Sequence, residues 1–290
     1  MIVLVSLIGY VGVCLSSGLE LSWGYLTAAG IVATVSWLDD LYSLPFWSRL
    51  LVHIAAATIL ILDLGYWSEV EDPITSITIQ LPSAVGILVT GLWLIWLLNA
   101  YNFMDGIDGI AALQAIVSGV AWTLLAVMWS LPGTLALAGF LVSASAGFLV
   151  HNWQPAKIFM GDVGSAFLGF TLASMPLLAR KEGVLEPEVL PVIAGLVVWF
   201  FVFDTVLTFF RRLFGRQRVW EPHREHLYQK LIIEGRSHSF VALLYGVASA
   251  LLGIAVLTSI LLSGIFQALA FLSFVGLTLF VLYLGVRKSG

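Results

Sequence analysis

Long apolar segments separated by short polar ones run along the whole chain. A helix needs about 20 mostly apolar residues to cross a bilayer, and segments of that length recur from one end of the sequence to the other. Because lipid offers the backbone no hydrogen-bond partners, such segments fold as helices, whereas membrane β-barrels show shorter alternating segments. The pattern predicts an all-α, polytopic transmembrane bundle with about ten spans. They lie at residues 1–17, 22–38, 49–66, 84–101, 110–130, 133–151, 163–180, 189–211, 239–262 and 266–286.

The composition agrees with this class. Hydrophobic residues make up 60% of the 290 positions and charged residues 10%, and the mean hydropathy is +1.02. A soluble domain carries about 25% charged residues. No shift in composition and no repeat divides the chain, so residues 1–290 are expected to form a single transmembrane domain. A nucleic-acid partner is not expected.

The charged residues sort between the two ends of the predicted bundle. An even number of spans places both termini on one side, and that side receives eleven of the thirteen Lys and Arg residues. The other side receives only Arg180 and Lys181, together with most of the glutamates. The positive-inside rule therefore predicts that the basic end and both termini face the cytoplasm, in the inner membrane of the cell.

Five aspartates fall at the predicted cytoplasmic end. Asp39 and Asp40 end the second span, Asp105 and Asp108 follow the fourth, and Asp162 lies in a later loop. Carboxylates at a membrane edge are costly and are therefore candidates for function. If they converge they repel one another unless a cation lies among them, and oxygen ligands favour Mg²⁺, with Mn²⁺ as the alternative, over zinc.

Glycines and basic residues accompany these acids. Helices that start after Gly109 and Gly164 would direct their N-termini at a phosphate. A late segment, residues 211–236, is rich in arginine and contains His223 and His226. Carboxylates, a divalent cation, basic side chains and glycine turns together favour a phosphoryl-transfer site on the cytoplasmic face.

Each feature also has a simpler interpretation. The aspartates are compatible with helix ends and N-caps, the arginines with a topology signal, and Asp204 with a polar packing group inside the bundle. At the level of function, a cation-coupled transporter and a non-catalytic membrane scaffold are the rivals. The carboxylates lie at one membrane edge rather than at mid-bilayer and no inverted repeat is visible, which disfavours a transporter. A scaffold leaves the Gly-Asp loops unexplained.

In these residues the sequence resembles the polyprenyl-phosphate N-acetylhexosamine-1-phosphate transferases of glycosyltransferase family 4. The same superfamily contains the phospho-N-acetylmuramoyl-pentapeptide transferase of peptidoglycan synthesis. The matching motifs cover nearly the whole chain in order and spacing. They are Asp39-Asp40 with Arg49 after them, residues 102–111, Asn152, residues 159–165 and the loop 222–226.

The resemblance implies a role for each matching residue. Asp162 would hold Mg²⁺, and Asp39, with Asp40 beside it, would act as base or nucleophile at the lipid phosphate. His223 and His226 would contact the diphosphate or the sugar during catalysis. The implied substrate-binding residues are Arg49, Asn102, Asp105, Gly106, Ile107, Asp108, Asn152, Phe159 and Arg224.

The implied reaction transfers N-acetylhexosamine-1-phosphate from a UDP-sugar to a polyprenyl phosphate such as undecaprenyl phosphate. It releases UMP and starts a cell-envelope glycan. Arg224 and Glu225 separate two histidines, whereas the histidines are consecutive in the peptidoglycan enzyme, so a UDP-N-acetylhexosamine is favoured over the muramoyl-pentapeptide donor, which is the alternative. No counterpart of the family's first span and Arg-Gly-Gly loop precedes Asp39, so a further N-terminal piece of the working enzyme is expected. A homodimer is left open.

Overall fold

The computed structural model describes residues 1–72, 77–218, 224–262 and 265–286, and most of them are helical. The predicted all-α, polytopic class is confirmed. The strands in these ranges form one antiparallel hairpin, β1 (Glu69–Glu71) and β2 (Thr78–Gln80). The helices are α1 (Ile2–Ser17), α2 (Trp23–Tyr42), α3 (Phe46–Leu64), α4 (Ser83–Met104), α5 (Ile110–Met128), α6 (Pro132–Asn152), α7 (Gly161–Lys181), α8 (Leu190–Val197), α9 (Trp199–Phe214), α10 (Leu227–Ile233), α11 (His238–Leu261) and α12 (Ile265–Val286).

Six of the described helices, α3 to α7 and α11, are long and apolar enough to cross a membrane. The bent pair α8 and α9 makes a seventh if it counts as one span, while α1 and Leu269–Leu284 within α12 are shorter apolar helices. The predicted count of about ten spans, and with it the placement of both termini, is therefore not supported by the described residues. Helix α2 has the length of a span, but it includes both Asp39 and Asp40, which lower its hydropathy.

Helix α7 forms the centre of the bundle, and every residue from Gly164 to Ala179 is buried. At Gly169 an added Cβ atom would lie 2.6 Å from the backbone oxygen of Leu97 in α4, so this approach requires glycine. The indole nitrogen of Trp93 donates to the backbone oxygen of Ala173 at 3.0 Å. These contacts bring the C-terminal half of α4 against α7, and so place the loop after α4 beside the start of α7.

The eighth predicted span, residues 189–211, is broken. Helices α8 and α9 meet at an angle of 73°, and the break frees the backbone oxygen of Val197. This oxygen accepts hydrogen bonds from Gln114 Nε2 and Ser118 Oγ of α5, both at 3.2 Å. Ser249 of α11 donates to Gln114 Oε1 at 2.7 Å. Because a backbone group without a partner is costly in lipid, these side chains stabilise the break.

The loops gather at two opposite ends of the bundle. At one end Lys181 lies 3.3 Å from Asp63, and Glu182 accepts hydrogen bonds from the backbone N–H groups of Gly133 and Thr134 at 2.7 and 2.6 Å. At the other end α2, α4 and α6 finish and α3, α5 and α7 begin. The five predicted aspartates all lie at this second end, which we call the aspartate end.

Candidate active site

A polar cavity of about 290 Å³ lies at the aspartate end, between the last turns of α4 and α6 and the first turn of α7. It brings together residues that are far apart in the sequence, and most of the predicted substrate-binding residues line it. Phe159 lies at the rim of the cavity and is 79% exposed. The lining residues of this polar cavity are Asn102, Asp105, Gly106, Ile107, Asp108, Asn152, Phe159, Met160, Gly161, Asp162 and Ser165.

A tight loop, residues 105–109, joins α4 to α5 at the cavity. Gly106 is required there because an added Cβ atom would collide with the hydroxyl of Tyr228. Gly109 has a φ of +81° and donates its backbone N–H to Asn152 Oδ1 at 2.9 Å, directly before α5 begins. Asn152 Nδ2 in turn donates to the backbone oxygen of Ile158 at 2.8 Å. Asn152 therefore ties the two cavity loops together besides lining the cavity.

The carboxylate of Asp40 caps the N-terminus of α7. Its Oδ1 accepts from the backbone N–H of Asp162 at 2.9 Å, and its Oδ2 accepts from that of Val163 at 3.2 Å. The sequence predicted that this helix starts after Gly164, but it begins at Gly161. The earlier start is possible because the Asp40 carboxylate satisfies the first backbone donors of the helix. An anionic side chain already occupies the positive end of α7, so that end is not available to a substrate phosphate.

Arg49 connects the first aspartate motif to the last. Its Nη1 lies 2.6 Å from Asp39 Oδ2 and 3.5 Å from Asp162 Oδ2. Asp39 is buried, and its other oxygen accepts from the backbone N–H of Leu44 at 2.6 Å. Both oxygens of Asp39 are thus engaged by strong donors. Its role as base or nucleophile stays a prediction.

Asp105, in the loop after α4, and Asp162, in the first turn of α7, both line the polar cavity. Burial, and then the charge of Asp162, raise the pKa of Asp105 to about 8. A cation between the two carboxylates would relieve this repulsion. Mg²⁺ is commonly bound through one or two carboxylates, with phosphate oxygens and water as the other ligands. Asp105 and Asp162 are suited to be the protein ligands of such a site.

A larger metal cluster is not formed. The assignment of Mg²⁺ to Asp162 stays a prediction, and within the described ranges no group of three or more His, Cys, Asp or Glu side chains is placed to hold a metal ion. The reason is that the other aspartates serve the fold. Asp40 caps α7, Asp39 pairs with Arg49, and Asp108 accepts from the backbone N–H of Ala156 at 3.2 Å and lies 3.4 Å from His238 Nδ1.

A second cavity of about 330 Å³, which we call the apolar groove, runs along α3, α4 and α9. Asn102 lines both the groove and the polar cavity, so the two adjoin at this residue. Polar side chains of the groove, Arg49 and His226 among them, belong to the aspartate end. The groove is lined by Phe46, Arg49, Leu50, His53, Leu92, Ile95, Trp96, Asn99, Ala100, Asn102, Phe103, Thr205, Thr208, Phe209, Arg212 and His226.

The late basic segment reaches the site only in part. His223 lies outside the described residues. Arg224 is exposed and is not among the residues that line either cavity, and its contact with substrate stays a prediction. Glu225 forms an ion pair with the buried Arg212, and His226 is buried in the wall of the groove. These two residues turn into the bundle and leave Arg224 at the surface.

Asp204 is not among the predicted site residues, yet it contacts one of them. It is fully buried in α9, and its Oδ1 lies 3.1 Å from His226 Nδ1. The sequence signal that marks it is a lone carboxylate inside an apolar span, which is costly and therefore a candidate for function.

The fold and the site define a mainly helical, polytopic membrane protein whose acidic, glycine-lined cavity adjoins an apolar groove. The family model for glycosyl transferase family 4 matches residues 22–180, from the start of α2 to the last turn of α7. The chain therefore belongs to glycosyl transferase family 4, and the resemblance noted in the sequence is confirmed.

Several curated relatives are similar to this chain. It is 28% identical over 238 residues to the probable undecaprenyl-phosphate N-acetylglucosaminyl 1-phosphate transferase of Bacillus subtilis (strain 168), which covers 80% of this chain and 64% of that protein. For the decaprenyl-phosphate N-acetylglucosaminephosphotransferase of Mycobacterium tuberculosis (strain ATCC 25618 / H37Rv) the identity is 28% over 239 residues, 76% of this chain and 59% of the relative. A phospho-N-acetylmuramoyl-pentapeptide-transferase of Streptococcus pyogenes serotype M49 is 33% identical over 180 residues, 59% of this chain and 53% of the relative. The chain spans less than two thirds of the length of these relatives.

Proposed function

We propose that this protein transfers N-acetylhexosamine-1-phosphate from a UDP-sugar to a polyprenyl phosphate and releases UMP. The observation that carries the proposal is the junction at Asn102, where an acidic polar cavity meets an apolar groove. A reaction between a nucleotide diphosphate and a lipid phosphate needs these two environments side by side. The names of the Bacillus subtilis and Mycobacterium tuberculosis relatives support the same acceptor and sugar class.

In this reaction an oxygen of the lipid phosphate attacks the phosphorus that carries the sugar, and the bond from that phosphorus to UMP breaks. Asp162, with Asp105 nearby, would hold Mg²⁺, which when bound neutralises diphosphate charge. Arg49 lines the groove and lies 3.5 Å from Asp162, so it is placed to attract the lipid phosphate. The exposed ring of Phe159 offers a stacking surface for the uracil.

The acceptor does not require a strong base. A phosphomonoester has a second pKa of about 6, so the lipid phosphate is largely dianionic at neutral pH. Asp39 is held by Arg49 at 2.6 Å, and we assign it the task of positioning this arginine rather than that of a nucleophile. Asp40 contributes by fixing the start of α7, which carries Asp162.

We also propose that the aspartate end faces the cytoplasm. Most of the basic residues flank this end in the sequence, as the positive-inside rule requires. This orientation agrees with both termini on the cytoplasmic side if α1, α2 and α12 also cross the membrane. Cysteines placed at Ser43 and Ser237 would then react only with a reagent added from the cytoplasmic side.

The test is a transfer assay with the purified full chain in detergent, radiolabelled UDP-GlcNAc and undecaprenyl phosphate. We expect lipid-linked product and UMP in equal amounts, and we expect Asp162→Asn to remove nearly all turnover while the protein stays folded. Glu20→Gln, a matched carboxylate change at the opposite end of the bundle, serves as the control and should retain activity. No product with UDP-GlcNAc or other UDP-N-acetylhexosamines would refute the proposal. Product only with UDP-N-acetylmuramoyl-pentapeptide would support the alternative donor.

A further inference from the structure

We propose that Tyr228 is a positioning residue for Asp105, and that its hydroxyl makes metal binding in the polar cavity depend on the placement of α10. The juxtaposition that carries the proposal is a buried tyrosine whose hydroxyl lies against Phe103 and Gly106, on either side of Asp105. The role of Asp105 toward a divalent cation rests on the function proposed above, whereas the contacts of Tyr228 do not.

The hydroxyl of Tyr228 satisfies the end of α4. Its oxygen lies 2.9 Å from the backbone oxygen of Phe103, and since a carbonyl only accepts, the hydroxyl is the donor. The last four carbonyls of a helix have no partner within the helix, and α4 ends at Met104, so Tyr228 supplies a donor that the helix lacks. Asp105 is the C-cap residue of this helix end, and its orientation therefore depends on the contact.

The same hydroxyl also restricts the loop that follows Asp105. A Cβ atom added at Gly106 would collide with the Tyr228 oxygen, so the backbone of the loop passes directly against the hydroxyl. The chain is thus fixed by one oxygen atom both before and after Asp105. This leaves the main chain of Asp105 little room to move, and it keeps the residue in the wall of the polar cavity.

Tyr228 can hold the loop because it is itself held. The residue is fully buried, and its backbone N–H donates to Asp204 Oδ2 of α9 at 3.1 Å. Asp204 also accepts from the backbone N–H of Leu227 at 2.8 Å and from the hydroxyl of Tyr245, in α11, at 2.7 Å. The start of α10 is therefore tied to two long helices, and Tyr228 extends from it to the loop after α4.

The chemical consequence concerns a divalent cation. Asp105 and Asp162 line the same cavity but belong to separate segments, so a cation between them is bound well only if both carboxylates are held in place. The first turn of α7 holds Asp162, and Tyr228 performs the corresponding task for Asp105. Neighbours that orient metal ligands contribute to metal affinity, so loss of the hydroxyl should weaken metal binding without removing a ligand.

The first test measures Mn²⁺ binding to the full-length protein in detergent by electron paramagnetic resonance, and it needs no turnover. We expect Tyr228→Phe to weaken binding about three- to tenfold, the range that corresponds to one lost hydrogen bond. Tyr245→Phe is the matched control, because it also removes the donating hydroxyl of a buried tyrosine, and it should leave the affinity unchanged. Equal weakening in both variants, or none in Tyr228→Phe, would overturn the proposal, and so would a wild-type protein that binds no Mn²⁺.

A double-variant cycle shows whether Tyr228 acts through Asp105. Asp105→Asn removes the carboxylate that the tyrosine positions, so the addition of Tyr228→Phe to it should change the Mn²⁺ affinity by less than about twofold. Losses that multiply in the double variant would mean that Tyr228 affects the metal by another route, and they would refute the positioning of Asp105.

The contact with Gly106 provides a variant that leaves Tyr228 intact. Gly106→Ala forces the loop away from the hydroxyl and should weaken Mn²⁺ binding at least about tenfold. Tyr228→Phe removes the colliding oxygen, so Gly106→Ala should cost less affinity in that background than in the wild type. A loss of the same size in both backgrounds would overturn the proposal. If Tyr228→Phe does not fold, Gly106→Ala alone decides, and wild-type affinity in it would be the contrary result.

The transfer assay adds a signature that a merely structural defect lacks. Tyr228→Phe should raise the Mg²⁺ concentration for half-maximal rate about three- to tenfold, and excess Mg²⁺ should restore kcat to within about twofold of wild type. A kcat that stays low at saturating Mg²⁺ would overturn the positioning role. If the wild-type protein transfers no sugar phosphate, the proposed function fails, while the Mn²⁺ measurements still decide the role of Tyr228.

Discussion

Removing the charge of Asp105 should stabilise the protein in a pH-dependent way. The group has a pKa of about 8 in the folded protein and about 3.9 in an unfolded chain. Because the pKa of Asp105 is higher in the folded protein than in the unfolded chain, protonation of this group favours the folded state. Its contribution to the free energy of unfolding is fully present below about pH 4 and is lost as the pH rises through about 8. Asp105→Asn has nearly the same shape and does not titrate, so it should escape the loss.

The magnitude follows from this interval. About four pH units at about 1.4 kcal/mol each give an upper limit of roughly 6 kcal/mol. Asp105 is partly exposed, and solvent screening reduces the effect to about 2 kcal/mol. For a chain of this size that corresponds to a rise in the unfolding temperature of roughly 4–8 °C for Asp105→Asn over wild type at about pH 9. At about pH 4 the two proteins should unfold at nearly the same temperature.

The assay is thermal unfolding of both proteins in detergent across this pH range, without divalent cations. Asp108→Asn on the same loop is the matched control, and it should lower the unfolding temperature because it weakens the contacts with Ala156 and His238. Added Mg²⁺ with UDP should reduce the advantage of Asp105→Asn, since a bound cation favours the carboxylate. A difference between wild type and Asp105→Asn that is the same at every pH would refute the reasoning.

Three further outcomes are expected. Asp40→Ala removes the N-cap of α7 and should cost about 1 kcal/mol of stability in thermal unfolding, and an equal unfolding temperature would contradict the capping role. Gly169→Ala should destabilise the α4–α7 contact by about 1–3 kcal/mol, while Gly139→Ala, which meets nothing within 4 Å, should be neutral; equal effects of the two would count against the close approach. Arg49→Gln removes a cation 3.5 Å from Asp162 and should tighten Mn²⁺ binding, measured by electron paramagnetic resonance, by roughly tenfold; unchanged affinity would show that the arginine does not compete with the metal.

The sequence was sufficient to predict that the five aspartates lie at the same end of the bundle, but not which contacts each of them makes. Asp39 and Asp40 are adjacent and share one motif, yet one pairs with Arg49 and the other caps α7. That difference arises because successive helix residues point about 100° apart and meet different neighbours. No local pattern states that the partner of Asp40 is a backbone segment more than a hundred residues later.

Two features of α8 and α9 were also beyond the sequence pattern. Residues 189–211 read as one apolar span, because neither Pro nor Gly lies at the break itself, next to Val198. The break depends on α5 side chains, which a local window cannot include. Asp204 was visible as a carboxylate within a span, but its link to His226 depends on the return of the chain after α9.

The freed backbone oxygen of Val197 has a consequence for biogenesis. A nascent chain leaves the ribosome from its N-terminus, so α5, with Gln114 and Ser118, is synthesised before the α8–α9 break. The partners of that oxygen are therefore already present when the broken segment leaves the translocation channel, and the segment can enter lipid against α5. A Gln114→Leu chain would lack the main partner at that moment, and its defect would appear as failed insertion and degradation of new protein rather than as slow turnover of mature enzyme.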